Sequence, residues 1–164
     1  QKQVALLRQP QVKVETIYRL RPTVGPIDDP LERVLVTRNR TAEGLGLPLP
    51  AGKLALFGQR GGRRILLGEG RLDDHTIGEK VEIPVATATG VRASQVVERS
   101  EGRGPFRLTL TNDHDSAQVA EIEVPLGARP IGGGRLVKRD GWMLWRVTVP
   151  ANGTAELRYT ISAD

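Results

Sequence analysis

The chain has 164 residues, 24 of them basic and 19 acidic, for a net charge of +5, and it contains no cysteine. That length suits one domain able to bury a core, and the missing cysteine excludes disulfides and thiolate chemistry. Arginines stand among Glu15, Asp28, Asp29, Glu32, Asp73 and Glu98, and Trp, Tyr and Phe occur only twice each. The interspersed charge and scarce aromatics argue against nucleic acid as a partner, and no apolar run reaches the ~20 residues of a spanning helix.

Taken in chain order, the first strand expectation covers Val4–Leu7. Val12, Val14, Thr16 and Tyr18 then share one face, with Lys13 and Glu15 opposite, and Arg33–Arg38 continues as strand. Leu45-Gly-Leu-Pro-Leu-Pro-Ala-Gly-Lys53 reads as an architectural loop: prolines and glycines set its backbone, and Leu45, Leu47 and Leu49 carry apolar surface. Strands over Leu54–Phe57 and Arg64–Leu67 flank a tight hairpin at Gly61-Gly62. Val81, Ile83 and Val85 alternate, and Pro84 among them predicts an edge or a bulge.

A strand over Ala93–Arg99 precedes the alternating set Phe106, Leu108 and Leu110. A polar hairpin turn over Asn112-Asp113-His114-Asp115 leads to Ala120, Ile122 and Val124, which alternate with Glu121 and Glu123. Gly132-Gly133-Gly134 reads as a loop. Trp145, Val147 and Val149 follow, then the connection Ala151-Asn152-Gly153, then Ala155, Leu157, Tyr159 and Ile161. Period-two alternation with turn residues between the runs, and no sustained 3.6-residue stripe, predicts an all-β chain. The expectation is an antiparallel β-sandwich, immunoglobulin-like, of about ten strands, forming a single domain over 1–164. Its expected core holds Leu108, Leu110, Ile122, Val147, Val149, Leu157 and Tyr159.

Several segments, read as a series, carry a resemblance. They are Gly44-Leu-Gly-Leu-Pro-Leu-Pro-Ala-Gly52 with Lys53-Leu-Ala-Leu-Phe57, then Leu67-Gly-Glu-Gly-Arg-Leu-Asp-Asp-His-Thr76, then Gly78-Glu-Lys-Val-Glu-Ile83 leading toward Val97-Glu-Arg99. Leu110-Thr-Asn-Asp-His114 and Val147-Thr-Val-Pro-Ala-Asn-Gly-Thr-Ala-Glu-Leu-Arg-Tyr159 complete the set. In this order, over residues 31–163, they resemble the C-terminal domain of the bacterial domain-of-unknown-function 4139 family, which includes mucoidy-inhibitor-like proteins. Ile77 stands where that family often has proline, and Ala128–Arg139 matches it poorly. The resemblance implies a C-terminal portion of a longer, exported protein in the periplasm or cell envelope. It supplies no catalytic residues.

The residues themselves offer one polar constellation. Asp73, Asp74 and His75 with Asp113 and His114, beside Asp115, would make a metal or acid–base site if their two loops met. The plainer reading is that these side chains satisfy backbone groups in turns, with no metal and no cofactor. Ser94, Ser100, Ser116 and Ser162 lack a nucleophile-elbow context. Gly58-Gln-Arg-Gly-Gly-Arg-Arg64 lacks the helix of a phosphate loop and fits a hairpin tip. Trp142 and Trp145 fall on opposite strand faces, so at most one is available to stack on a sugar.

The leading expectation is therefore a non-catalytic β-sandwich module of an exported bacterial envelope protein, serving scaffolding or protein contact. Leu45, Leu47 and Leu49 are its candidate contact loop. The partner expected is the remainder of its own longer chain or another envelope protein, with self-association left open. A glycan-binding module is the first alternative, and a hydrolase using the Asp/His loops is the second.

Overall fold

Runs of alternating side chains become strands, and glycine, proline or asparagine ends most of them. A computed structural model describes residues 11–98 and 105–161. The strands are β1 Glu15–Leu20, β2 Ile27–Arg38, β3 Gly52–Arg60, β4 Arg63–Leu72, β5 Lys80–Val97 and β6 Phe106–Asn112. They continue as β7 Gln118–Val124, β8 Ala128–Pro130, β9 Leu136–Arg139, β10 Trp142–Val149 and β11 Gly153–Ile161. Among the described residues the only helical element is a 3-10 turn over Thr41–Glu43, and no helix is long and apolar enough to cross a membrane. The expected strand at Val4–Leu7, the residue Arg99, and Ser100 and Ser162 lie outside the described residues.

The all-β class stands. Nine strands form one sheet in the order β8-β11-β6-β5-β2-β1-β7-β10-β9, and β3 with β4 forms a separate two-stranded ribbon. The sheet is mixed rather than purely antiparallel, because β1 lies parallel to β7, with Ile17 opposite Val119 and Leu20 opposite Ile122. These two strands are far apart in sequence, so no hairpin dictates their relative direction. The links from β6 to β7 and from β10 to β11 also join strands that are not neighbours in the sheet. Asn112–Asp115, expected as a hairpin, is thus a crossover, and the compact connection Ala151–Gly153 is one too.

Two segments expected as separate strands are one. β5 runs 18 residues and turns at Gly90, whose φ of 88° is open to glycine and strained for other residues. β6 pairs with β5 only over Val91–Val97, so Pro84 sits where β5 has no β6 partner to miss its N–H. β8 and β9, both short, went unforeseen in the sequence.

The chain divides into two compact units: Gln1–Thr16 with Val34–Ala86, and Ile17–Arg33 with Thr87–Asp164. In the second, the strands curl around one core built from β1, β2, β5, β6, β7, β8, β10 and β11. Leu108, Leu110, Ile122, Val149, Leu157 and Tyr159 are buried in it as expected, and Val147 packs against it partly exposed. The first unit has a smaller core of Leu35, Leu49, Val81, Ile83 and Val85, with Leu45, Leu54, Leu56 and Leu72 packed on it. There the base of the β3–β4 ribbon lies against β5. A Cβ at Gly70 would stand 2.5 Å from the Pro84 carbonyl oxygen, so only glycine permits the approach.

Candidate functional site

In the first unit, Asn39 organises the loops that the sequence singled out. Its side chain is buried at 0 % exposure and donates from Nδ2 to the carbonyls of Leu47 (2.7 Å) and Thr76 (2.9 Å). Its Oδ1 accepts the Gly46 amide at 3.0 Å. The Asn39 backbone exchanges further bonds, its N–H with Glu79 and its carbonyl with Gly78. One asparagine thereby holds the leucine loop and the Asp73–Glu79 loop together, a hub that its isolated position in the sequence does not signal.

The two loops are also joined directly. Leu49 and His75 exchange both backbone hydrogen bonds at 2.9 Å, and Asp74 Oδ1 accepts the Ala51 amide at 2.7 Å. His75 Nδ1 lies 3.5 Å from Glu79 Oε2, and the Thr76 amide donates to the same carboxylate, holding it below the usual carboxylate range. Asp73 is exposed. Of the three leucines, Leu49 is buried and Leu45 packs against the small core, while Leu47 is half-buried with its carbonyl taken by Asn39. The segment caps the core of its own unit.

Asp113 and His114 belong to the second unit. Here Asn112, also at 0 % exposure, plays the same part: Nδ2 donates to the carbonyls of Ser116 and Pro150 (both 2.9 Å) and Oδ1 accepts the His114 amide. The Asp113 amide bonds to Gly90, and the His114 carbonyl accepts from Asn152. The His114 ring rests 6.1 Å from that of Tyr18, and its Nε2 is buried with no hydrogen-bond partner among the described residues. In both loops the backbone and the asparagines do the joining. Among the described residues, no group of three or more His, Cys, Asp or Glu is placed to hold a metal ion.

The alternation that put Glu121 and Glu123 opposite the core correctly assigns their face, yet Glu121 is only 2 % exposed. Arg19 and Arg139 donate to its Oε2 at 2.9 Å each, and Arg146 donates to its Oε1 at 2.6 Å. Burial pushes its carboxyl up, and the bonds from Arg139, Arg19 and Arg146 outweigh that and hold it down at about 2. Arg21 and Arg139 bind Glu123. Arg21 also lies over the half-buried Trp142, 4.2 Å from the ring centroid, whereas Trp145 is buried.

An open concavity lies at the base of the β3–β4 ribbon. It has a volume of about 490 Å³ and is lined by Lys53, Leu54, Ala55, Glu69, Gly70 and Arg71. Its lining combines the charged Lys53, Glu69 and Arg71 with the small or apolar Leu54, Ala55 and Gly70. No protein-family model matches the chain, and no curated protein or solved structure matches it either.

Proposed function

We propose that the chain is a non-catalytic β module of an exported bacterial envelope protein, serving as scaffold and contact surface. The observation that supports this reading is the engagement of the candidate acid–base loops in architecture: Asn39 and the Leu49–His75 pair hold one loop, and Asn112 holds the other. A catalytic dyad needs side chains converging on an open volume. Here Asp74 is engaged by the Ala51 amide and His75 faces Glu79, while His114 lies in the second unit with its ring beside Tyr18. The finer fold reading belongs to the same proposal. β8, β11, β6 and β5 would form one layer of an immunoglobulin-like sandwich and β1, β7, β10 and β9 the other, with the β6–β7 and β10–β11 crossovers linking them.

The partner proposed is another envelope protein or further parts of its own chain, as in the domain-of-unknown-function 4139 family, with a periplasmic or envelope location. Cell fractionation of the producing bacterium tests the location. Sedimentation of the chain mixed with a purified candidate partner, wild type against Leu47→Asp, tests the contact. Association lost in Leu47→Asp, at unchanged melting temperature, supports the reading. Hydrolysis of an ester, phosphate or glycoside substrate that disappears in His75→Ala overturns it.

Trp142 favours a second reading as a glycan-binding module, since it is half-buried beside Arg21 and stands opposite Arg139 in the sheet register. Tryptophan fluorescence titrated with an acidic polysaccharide tests it. A response abolished by Trp142→Ala supports the glycan reading, and no response excludes it for that polysaccharide class.

A further inference from the structure

The positive charge of this chain is concentrated. Residues 52–72, the β3–β4 ribbon and its turn, hold Lys53, Arg60, Arg63, Arg64 and Arg71 against Glu69 alone, a net +4 within a chain whose total is +5. At the base of the ribbon the cross-strand register sets like charges directly opposite, Lys53 against Arg71. Such pairs weaken a ribbon by themselves, and an anion lying against them relieves the repulsion.

The same ribbon exposes large apolar side chains: Phe57 at 43 %, Ile65 at 40 %, Leu66 at 50 % and Leu67 at 42 %. Phe57 and Leu66 are register partners and share one face. Ile65 pairs with Gly58, one residue along, and so takes the opposite face. Leu67, displaced by the bulge at Leu56/Phe57, lies over Gly58, where a Cβ would stand 2.8 Å from its Cδ1. Apolar surface therefore covers both faces. A docked globular protein covers one face of a ribbon, whereas a tip resting in a lipid boundary is covered on both. The Arg64 guanidinium lies 3.7 Å from the Phe57 ring centroid, which sets a cation at the level of an aromatic ring, an arrangement suited to a zone where phosphates meet acyl chains.

We propose that the β3–β4 ribbon is a membrane-surface arm that docks on an anionic lipid bilayer, its arginines on headgroup phosphates and Phe57, Ile65, Leu66 and Leu67 at the acyl boundary. Entry is shallow. The outer edges of β3 and β4 have no strand neighbour among the described residues, and unpaired backbone groups do not enter hydrocarbon. A second copy of the ribbon is a poor occupant, because pairing would set +4 against +4. This role goes beyond scaffolding, and either assignment stands if the other fails.

The test is cosedimentation of the full 164-residue chain with vesicles of phosphatidylcholine alone and of phosphatidylcholine mixed equally with phosphatidylglycerol. The expected result is binding to the mixed vesicles and none to phosphatidylcholine. Arg63→Ala combined with Arg64→Ala should weaken binding about twenty-five-fold, since each cation near an anionic surface is worth about five-fold. Leu66→Ser should weaken it further and leave the remainder sensitive to salt. All three positions are exposed, so the melting temperature should hold. Phe57→Trp gives an independent readout that does not depend on losing anything: its emission should shift to the blue on mixed vesicles and be quenched by brominated lipid, over the constant signal of Trp142 and Trp145. Absence of binding to the mixed vesicles overturns the proposal. So does binding undiminished in the arginine and Leu66 variants. A chain that binds poly-glutamate and leaves vesicles alone also overturns it, and makes an acidic protein the occupant.

Discussion

The Tyr159 hydroxyl donates to Gln95 Oε1 at 2.7 Å, across the intervening strand β6 and inside the larger core. Gln95 is 1 % exposed, and its Nε2 donates in turn to the carbonyls of Thr23 (3.1 Å) and Gly25 (2.7 Å). The pair thus ties β11 and β5 to the segment between β1 and β2, and every polar atom of the Gln95 amide has a use. Tyr159→Phe should leave Gln95 Oε1 buried without a donor and cost ~1–3 kcal/mol in urea denaturation. Burial pushes the Tyr159 hydroxyl up to about 12 from 10.0. A raised acid stabilises the fold below its unfolded pKa, so wild-type stability should fall as pH climbs from 10.0 toward about 12. The phenylalanine variant should lack that component.

Glu121 should govern the acid limb in the opposite sense. Its carboxyl is lowered from 4.5 to about 2, so its contribution is present above 4.5 and is lost as pH falls through about 2. Glu121→Gln should lower stability at neutral pH by about 3 kcal/mol, and the gap to wild type should narrow on acidification across that window. A gap that stays constant from neutral pH to pH ~2 would show that the arginines do not act through the charge.

Asn39→Ala removes two donated bonds and one accepted bond from buried backbone groups of the first unit. A loss of ~1–3 kcal/mol is expected, with accelerated amide exchange at Gly46 and at the Leu49–His75 pair. Unchanged exchange at those amides would mean the loops hold each other without the asparagine.

Leu157→Ala should cost ~2–5 kcal/mol, because Leu157 is wholly buried between strands that cannot collapse on the cavity. Chemical denaturation measures it. A cost near that of a surface change would contradict the burial.

What the sequence determined by itself is strand character, inward faces and several turns. Period-two alternation is a local property, so Leu108, Leu110, Ile122 and Leu157 were identifiable as core from their own segments. So was the turn at Gly61-Gly62, where both residues need positive φ (56° and 75°). What only the tertiary structure decided is which strands meet and which polar groups converge. Alternation says nothing about strand order, and so the parallel β1–β7 pair and the crossover nature of Asn112–Asp115 had no sequence signal. Asn39, Asn112 and Gln95 bond to groups far away in sequence, up to Gln95 with Thr23, and a lone polar residue looks the same whether it is solvated or a hub. The net +4 of residues 52–72 is countable in the sequence, but its surface arrangement is not. Pairing the two strands set Lys53 opposite Arg71 and left apolar residues on both faces.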